Sequence, residues 1–300
     1  MIRRIFRAVA AASILFVNLA NAQDLEPRRY THLPISQNFI VGAYSYSAGD
    51  VNTSPSIPLD DAKLKIDGPA IIYARTFALA GNLASMDLAV PYLCVDGSAL
   101  LDDVRRSRKT CGVGDTRLRL TYNFYGAPAV DISEFRKHKK GVVIGASVQI
   151  SIPTGSYDDD KLLNIGANRW YIRPELGISV PWRKWSFEFS AGVRFFTNND
   201  KYFGNVELKQ DPLYNIQAHV IYDLTRRQWL SLSSNYFFGG DTYQDDLPLA
   251  TEQKNSRLGA TWAVAVNPQN TLTLLAHTGV ITRIGNDSDT YSVAWTYRWE

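Results

Sequence analysis

The chain has 300 residues, 45% of them hydrophobic and 12% aromatic, with 32 basic and 29 acidic side chains. The positive excess sits in the first 22 residues as Arg3, Arg4 and Arg7, so the remainder is formally neutral, with 29 of each sign, and gives no support to a nucleic-acid partner. No stretch offers 18 uninterrupted apolar residues, which leaves no candidate for a membrane-spanning helix.

Those three arginines precede a short apolar run, Ala8 to Val17, and Ala20-Asn21-Ala22 supplies the small-x-small pattern of a signal-peptidase site. Residues 1–22 are therefore expected to be a cleaved signal peptide. Residues 23–36 are expected to be a periplasmic segment, and residues 37–300 a single domain, because no linker or composition break divides them.

From there the chain alternates with period two. Val142–Ile152 interleaves apolar residues with Gly145, Ser147, Gln149 and Ser151. In Trp170–Trp182 the even positions read Trp, Ile, Pro, Leu, Ile, Val, Trp, against Tyr171, Arg173, Glu175 and Ser179. In Trp185–Phe195 the apolar set is odd, against Ser186, Glu188, Ser190 and Arg194. Tyr214–Leu224 alternates with Asn215, Gln217, His219 and Asp223. Residues 290–299 place Tyr291, Val293, Trp295, Tyr297 and Trp299 on one face and Thr290, Ser292, Ala294, Thr296 and Arg298 on the other. Such half-greasy strands of about ten residues suit a tilted bilayer crossing. Aromatics crowd the strand ends (Trp170, Trp182, Trp185, Trp229, Trp299), as in the girdles of membrane barrels.

Strands read at 37–50, 63–80, 84–97, 114–127, 141–156, 169–182, 185–198, 212–225, 228–242, 254–267, 271–284 and 289–300 number twelve. Short connections (Gly81-Asn82, Arg183-Lys184, Arg226-Arg227, Asn267–Asn270) alternate with long polar ones (51–62, 98–113, 157–168, 199–211, 243–253). That is the asymmetry of periplasmic turns against external loops. Two connections break it: Ala127–Lys140 is long where a short turn is due, and 285–288 is short where a loop is due. The expected fold is all-β, a transmembrane antiparallel barrel of about twelve strands, closed because only closure satisfies every backbone group in lipid. Its expected location is the bacterial outer membrane. Its expected partners are outer-membrane lipid and lipopolysaccharide, and the barrel-assembly machinery acting through the C-terminal strand. Cys94 and Cys111, in an exported chain, are expected to pair as a disulfide stapling the polar loop between them, with free thiols or a metal pair as rivals.

Ile152-Pro-Thr-Gly-Ser-Tyr-Asp158, followed by Asn164-Ile-Gly-Ala-Asn-Arg-Trp170 and Arg173-Pro-Glu-Leu-Gly177, resembles a bacterial outer-membrane family catalogued under phenol degradation by the meta-cleavage pathway. Gly126–Ala129, Glu134-Phe135, Gln217-Ala-His219, Asn255–Gly259 and Thr282–Gly285 fit the same resemblance, which runs over roughly 38–300. It implies an outer-membrane transporter, often for aromatic or other apolar compounds. The motif residues Pro153, Thr154, Gly155, Tyr157, Asn168, Arg169 and Trp170 also have a structural reading, as the turn, bulge and interface anchors of a barrel rim.

With the apolar faces turned to lipid, the lumen receives Arg117, Arg119, Gln149, Arg173, Glu175, Glu188, Arg194, Gln217, His219, Arg257, His277 and Arg298, besides Asn123, Asp223, Asn235 and Thr261. These are the candidates for a selectivity lining, weighed against struts that satisfy one another across the barrel. The arginine excess suggests a mild preference for anionic or dipolar solutes. Catalysis has little support: of four histidines only His219 and His277 fall on predicted strands, and neither has a nucleophile signature. Asp158-Asp159-Asp160 lacks the ligand spacing of a cation loop, and no phosphate-binding motif occurs, so no metal or cofactor is expected. The expected function is a passive channel for small, apolar or aromatic molecules. A non-conducting surface barrel and a lipid-modifying enzyme are the alternatives. The short segment before the first strand is expected to be too small to fill the lumen, and the disulfide-pinned 98–113 loop is the favoured constriction.

Overall fold

The computed structural model describes residues 25–53, 60–101, 103–202 and 206–300. The expected signal peptide lies outside them. Alternating sequence becomes strand throughout: β1 (Asn38–Asn52), β2 (Asp60–Leu79), β3 (Asn82–Leu101), β4 (Val104–Val113), β5 (Thr116–Tyr125), a one-turn α1 (Ile132–Phe135), β6 (Val143–Ile152), β7 (Tyr171–Trp182), β8 (Trp185–Phe196), β9 (Asn199–Tyr202), β10 (Val206–Gln210), β11 (Leu213–Asp223), β12 (Gln228–Gly239), β13 (Thr242–Gln244), β14 (Leu247–Pro248), β15 (Gln253–Ala265), β16 (Asn270–Ile281) and β17 (Gly285–Trp299).

All neighbours in the main sheet are antiparallel, and β1 pairs with both β2 and β17, which closes the ring. β3 pairs with β4 through Tyr92–Leu101 and with β5 through Ala84–Ala89, so β4 and β5 occupy one position in succession. The barrel therefore has twelve staves, and the strand count read from the sequence holds. The short strands β9, β10, β13 and β14 form a separate four-stranded sheet from two of the long external connections.

The two-residue turn between β2 and β3 is Ala80-Gly81, one residue earlier than expected. Both residues take positive φ (46° and 81°), the backbone hand that matches the twist of a tight hairpin. The β7–β8 turn uses Arg183 at φ 56° in the same way. The exceptional long turn, Ala127–Lys140, is folded rather than loose. Asp131 caps α1 by accepting from the Ser133 and Glu134 amides at 2.7 and 2.9 Å.

Residues 98–113 correct an expectation. Residues 98–101 and 104–113 are not a polar loop but the continuation of the β3–β4 hairpin beyond the membrane, with Cys94 opposite Cys111 in register and bonded to it. The disulfide is thus a cross-strand staple. The segment that folds against the inner side of this hairpin is 153–168: a Cβ at Gly97 would meet Leu163 at 2.8 Å, and one at Gly112 would meet Ser156 at 2.3 Å. The constriction expected from 98–113 is therefore not there.

Outward faces carry the apolar residues, including Trp182, Trp185, Leu176, Phe189, Tyr291 and Trp295, all exposed on the barrel wall. A charge at midplane on this surface would cost about 2–4 kcal/mol, which explains its composition. Trp229 departs from the expected girdle: it points inward, buried beside Ile221 and Ala263. The inward faces of β1 and β2 are likewise apolar. Phe39, Val41, Ala70, Ile72 and Ala74 form a buried cluster with Leu33 and Val143. The lumen wall is therefore divided into a greasy sector and a polar one.

Candidate lumen site and its inner segment

Residues 25–37 run inside the barrel. This overturns the expectation of a periplasmic segment too short to fill it. Leu25, Tyr30 and Leu33 are each 3% exposed or less, and Glu26 and Arg28 are also buried. Thirteen residues suffice because the segment is anchored at each step to the polar sector, and its apolar residues meet gaps in the wall.

The gaps are glycines. Gly145 on β6 and Gly177 on β7 face each other in register, and the Tyr30 ring lies over both. A Cβ on Gly177 would stand 1.9 Å from the ring, and one on Gly145 would stand 2.8 Å away. Gly259 on β15 makes the same room for Leu25, 2.4 Å from where its Cβ would be. The Tyr30 hydroxyl then donates to Glu175 at 3.0 Å and lies 3.3 Å from the Ser147 hydroxyl.

The anchors are charged. The Glu26 carboxylate pairs with Arg29, with Arg119 at 2.9 Å and with Arg173 at 3.1 Å, while its amide donates to Gln217 at 3.2 Å. The Arg28 amide donates to Glu188 at 2.5 Å, its guanidinium pairs with Asp223, and its charge lies 4.9 Å from the centre of the Trp229 ring. Glu188 also accepts from Ser179 at 3.0 Å. Buried charges persist only when paired in this manner. At the periplasmic end the His32 Nε2 lies 2.8 Å from the Pro128 carbonyl oxygen, and its ring packs edge-on against Phe135 and His138. Burial, with the neighbouring His138 adding to it, lowers the His32 pKa to about 4, so the ring is neutral at pH 7. The Ile35 amide donates to the Val130 carbonyl at 3.0 Å. The long Ala127–Lys140 turn is thus long because it closes over the segment.

Of the predicted lining residues, Arg119, Gln149, Arg173, Glu175, Glu188, Arg194, Gln217, His219, Arg257 and Arg298 are all buried inside the barrel, and Arg117 and His277 are half-buried there. They form two groups. Arg119, Gln149, Arg173, Glu175, Glu188 and Gln217 gather around the inner segment, directly or through one another. Gln149 accepts from Arg119 and donates to Tyr171 at 2.5 Å. Arg257 lies apart, with one guanidinium nitrogen 3.3 Å from His277 Nδ1 and another donating to the Asn286 carbonyl at 2.9 Å. Arg194 stacks 4.4 Å over the Tyr171 ring. The sequence reading missed Glu26, Arg28, Arg29 and Tyr30. The charged run Glu26-Pro-Arg-Arg-Tyr30 stood in the sequence, but nothing local ties it to the glycines of β6 and β7.

The motif residues lie at the external rim. Thr154 bonds the Thr116 hydroxyl at 2.8 Å, and Asp115 accepts from the Gly155 and Ala167 amides at 2.9 and 2.8 Å. Gly155 and Gly166 pack backbone to backbone. Tyr157 accepts from Asn199 at 2.9 Å, Asn168 donates to Asn199 at 2.9 Å from a left-handed backbone, and Arg169 donates to Gln210 at 2.5 Å. Trp170 is exposed, and Pro153 begins the clamped loop at the end of β6. These residues fold 153–170 into an ordered cover on the β3–β4 hairpin. Asp158, Asp159 and Asp160 come together on it, all exposed, with Arg108 lying 3.4 Å from Asp158.

Residues 46–295 match the model of a protein family described as "Putative MetA-pathway of phenol degradation". The chain belongs to that family. Among solved structures it is similar to an outer membrane channel from Pseudomonas putida F1, at 18% identity and a TM-score of 0.78, over 92% of this chain and 100% of that one. It is also similar to the transport unit of the autotransporter AIDA-I from Escherichia coli, at 8% identity and a TM-score of 0.53, over 99% of this chain and 97% of that one. The β-domain of the Bordetella autotransporter BrkA gives 10% identity and 0.51, over 88% and 100%. No curated protein matches the chain significantly. At these identities the likeness is one of fold, that of an outer-membrane barrel, and it agrees with the lipid-facing belt.

Proposed function

We propose that the chain is a passive outer-membrane channel for small molecules with apolar or aromatic bodies, whose conductance is set by its inner segment. The observation that carries this reading is the divided lumen: an apolar wall on β1 and β2 faces a polar wall rich in arginine, with residues 25–37 between them. The seated segment covers both walls; once it is released, a solute with a flat apolar body and one polar group would contact both, whereas a uniformly polar pore would favour hydrated ions. The name of the P. putida relative, a channel, supports the same reading. No residue is assigned a catalytic role. The greasy final strand, ending in Tyr297 and Trp299, supports recognition by the barrel-assembly machinery, and the outer belt supports contact with lipid and lipopolysaccharide.

The test is planar-bilayer conductance of the refolded mature protein with and without phenol. Steady steps that phenol reduces would support the reading. Steps indifferent to phenol would remove the aromatic class. A second reading, a non-conducting surface barrel, is favoured by the filled lumen alone. It predicts no steps from the mature protein or from one lacking residues 23–36.

A further inference from the structure

The folded turn, the inner segment and the barrel wall enclose a cavity of about 410 Å³ at the periplasmic mouth. Its size falls within the range of small-molecule sites. Arg28, Arg136, Lys137, Lys139 and Lys140 line it, and no carboxylate does. Phe135, Val143 and Pro181 supply an apolar floor. Only Lys140 of the turn's basic run is ion-paired among the described residues, to Asp223 at 2.7 Å, and Asp223 is shared with Arg28.

The surrounding rim strengthens the field. The next two hairpins along the ring beyond β6 turn through Arg183-Lys184 and Arg226-Arg227, and the first abuts the end of β11 where the Asp223 amide donates to the Lys184 carbonyl at 2.8 Å. The Ala80-Gly81 turn, which flanks the long turn on its other side and accepts from the Ala129 amide at 3.0 Å, and the Asn267-Pro-Gln-Asn270 turn carry no charge. From the long turn to the β11–β12 turn, basic side chains therefore outnumber Asp131, Glu134 and Asp223, and that excess would draw anions in. Ser179 and Val143 face the lumen, so the cavity lies within the barrel mouth and not on its lipid-facing wall.

We propose that this cavity is a binding site for a compact organic anion, a carboxylate or similar group on an apolar body. The cationic turn would hold the charge, and Phe135, Val143 and Pro181 the body. This rests on the reading that solutes cross the lumen, and it gives them a docking point at the periplasmic end.

Isothermal titration of the refolded mature protein, in neutral detergent at low salt, tests it with four probes: benzoate, its neutral counterpart benzyl alcohol, acetate and inorganic phosphate. Benzoate is expected to bind at least tenfold more tightly than each of the others. The variant R136Q/K137Q/K139Q, checked for heat-modifiable folding, is expected to lose at least tenfold in benzoate affinity. Equal binding of benzyl alcohol would reduce the cavity to an apolar hollow, and equal binding of phosphate would reduce it to charge alone. Either result, or no benzoate binding to folded protein, overturns the site. Conductance of the same preparation separates the two readings. Ion steps without benzoate binding reject the site only, and benzoate binding without steps rejects the channel only.

Discussion

Replacing Gly177 by alanine tests whether the inner segment is seated by fit to the wall. The new methyl carbon would lie 1.9 Å from a carbon of the Tyr30 ring, a separation no real pair tolerates. The ring cannot step aside within the lumen, because Gly145 holds its other side and its hydroxyl is bonded to Glu175. Losing the seat removes about 2 kcal/mol of ring burial and about 1.5–3 kcal/mol for a hydrogen bond to a charged acceptor. A total near ~4 kcal/mol moves the balance between seated and released segment by roughly three decades. In single-channel recording, Gly177→Ala should show larger or more frequent open steps than the parent, and a protease added on the periplasmic side should cut within residues 25–37. Gly42→Ala, which meets nothing within 4 Å, is the control and should match the parent. Tyr30→Ala should reproduce the open phenotype, and Gly177→Ala in that background should add nothing, since the methyl then has no ring to strike. Unchanged conductance and protection in Gly177→Ala would refute the reasoning.

Other consequences follow from the same contacts. Glu26→Gln leaves Arg119 and Arg173 without their shared carboxylate, at a cost of about 3–5 kcal/mol, so the segment should release and the reversal potential shift toward chloride selectivity. His32 has a pKa lowered to about 4 when seated, against an ordinary value near 6.5, so the released segment binds more protons between those values. Seating should therefore be intact above about pH 6.5 and weaken by about 1–2 kcal/mol by pH 5, with discount for partial contact with water. Conductance should rise on acidification, and His32→Asn should flatten that rise. Asp115→Ala removes the acceptor of two loop amides, at about 1–3 kcal/mol, and should open 155–167 to hydrogen exchange without moving the barrel's. Reduction of Cys94–Cys111 should speed tryptic cutting at Arg105–Lys109, because the bridge closes a loop worth about 3 kcal/mol, and leave barrel mobility on gels unchanged.

The barrel was legible because alternation is local. Each strand states its own two faces, as in Tyr171–Trp182 and Tyr291–Trp299, and lipid enforces the outer one. The same rule placed ten of the twelve lining residues in fully buried lumen positions. It failed at Trp229, since an apolar side chain at a strand end fits either the girdle or the interior, and only the surroundings decide which. It failed again on β1 and β2, whose inner faces are apolar because they pack on Leu33 and Phe135 rather than face water.

What the sequence determined by itself was the barrel, its closure and its wet and greasy faces; it led one to expect about twelve staves and a Cys94–Cys111 bridge, and the pairing of the strands decided both. The tertiary structure decided that residues 25–37 lie inside. That choice depends on Gly145, Gly177 and Gly259, far apart in the chain, aligning as gaps, and on Glu26 meeting arginines from two different strands. Such complementarity exists only after register has brought the staves together, so no local pattern could announce it.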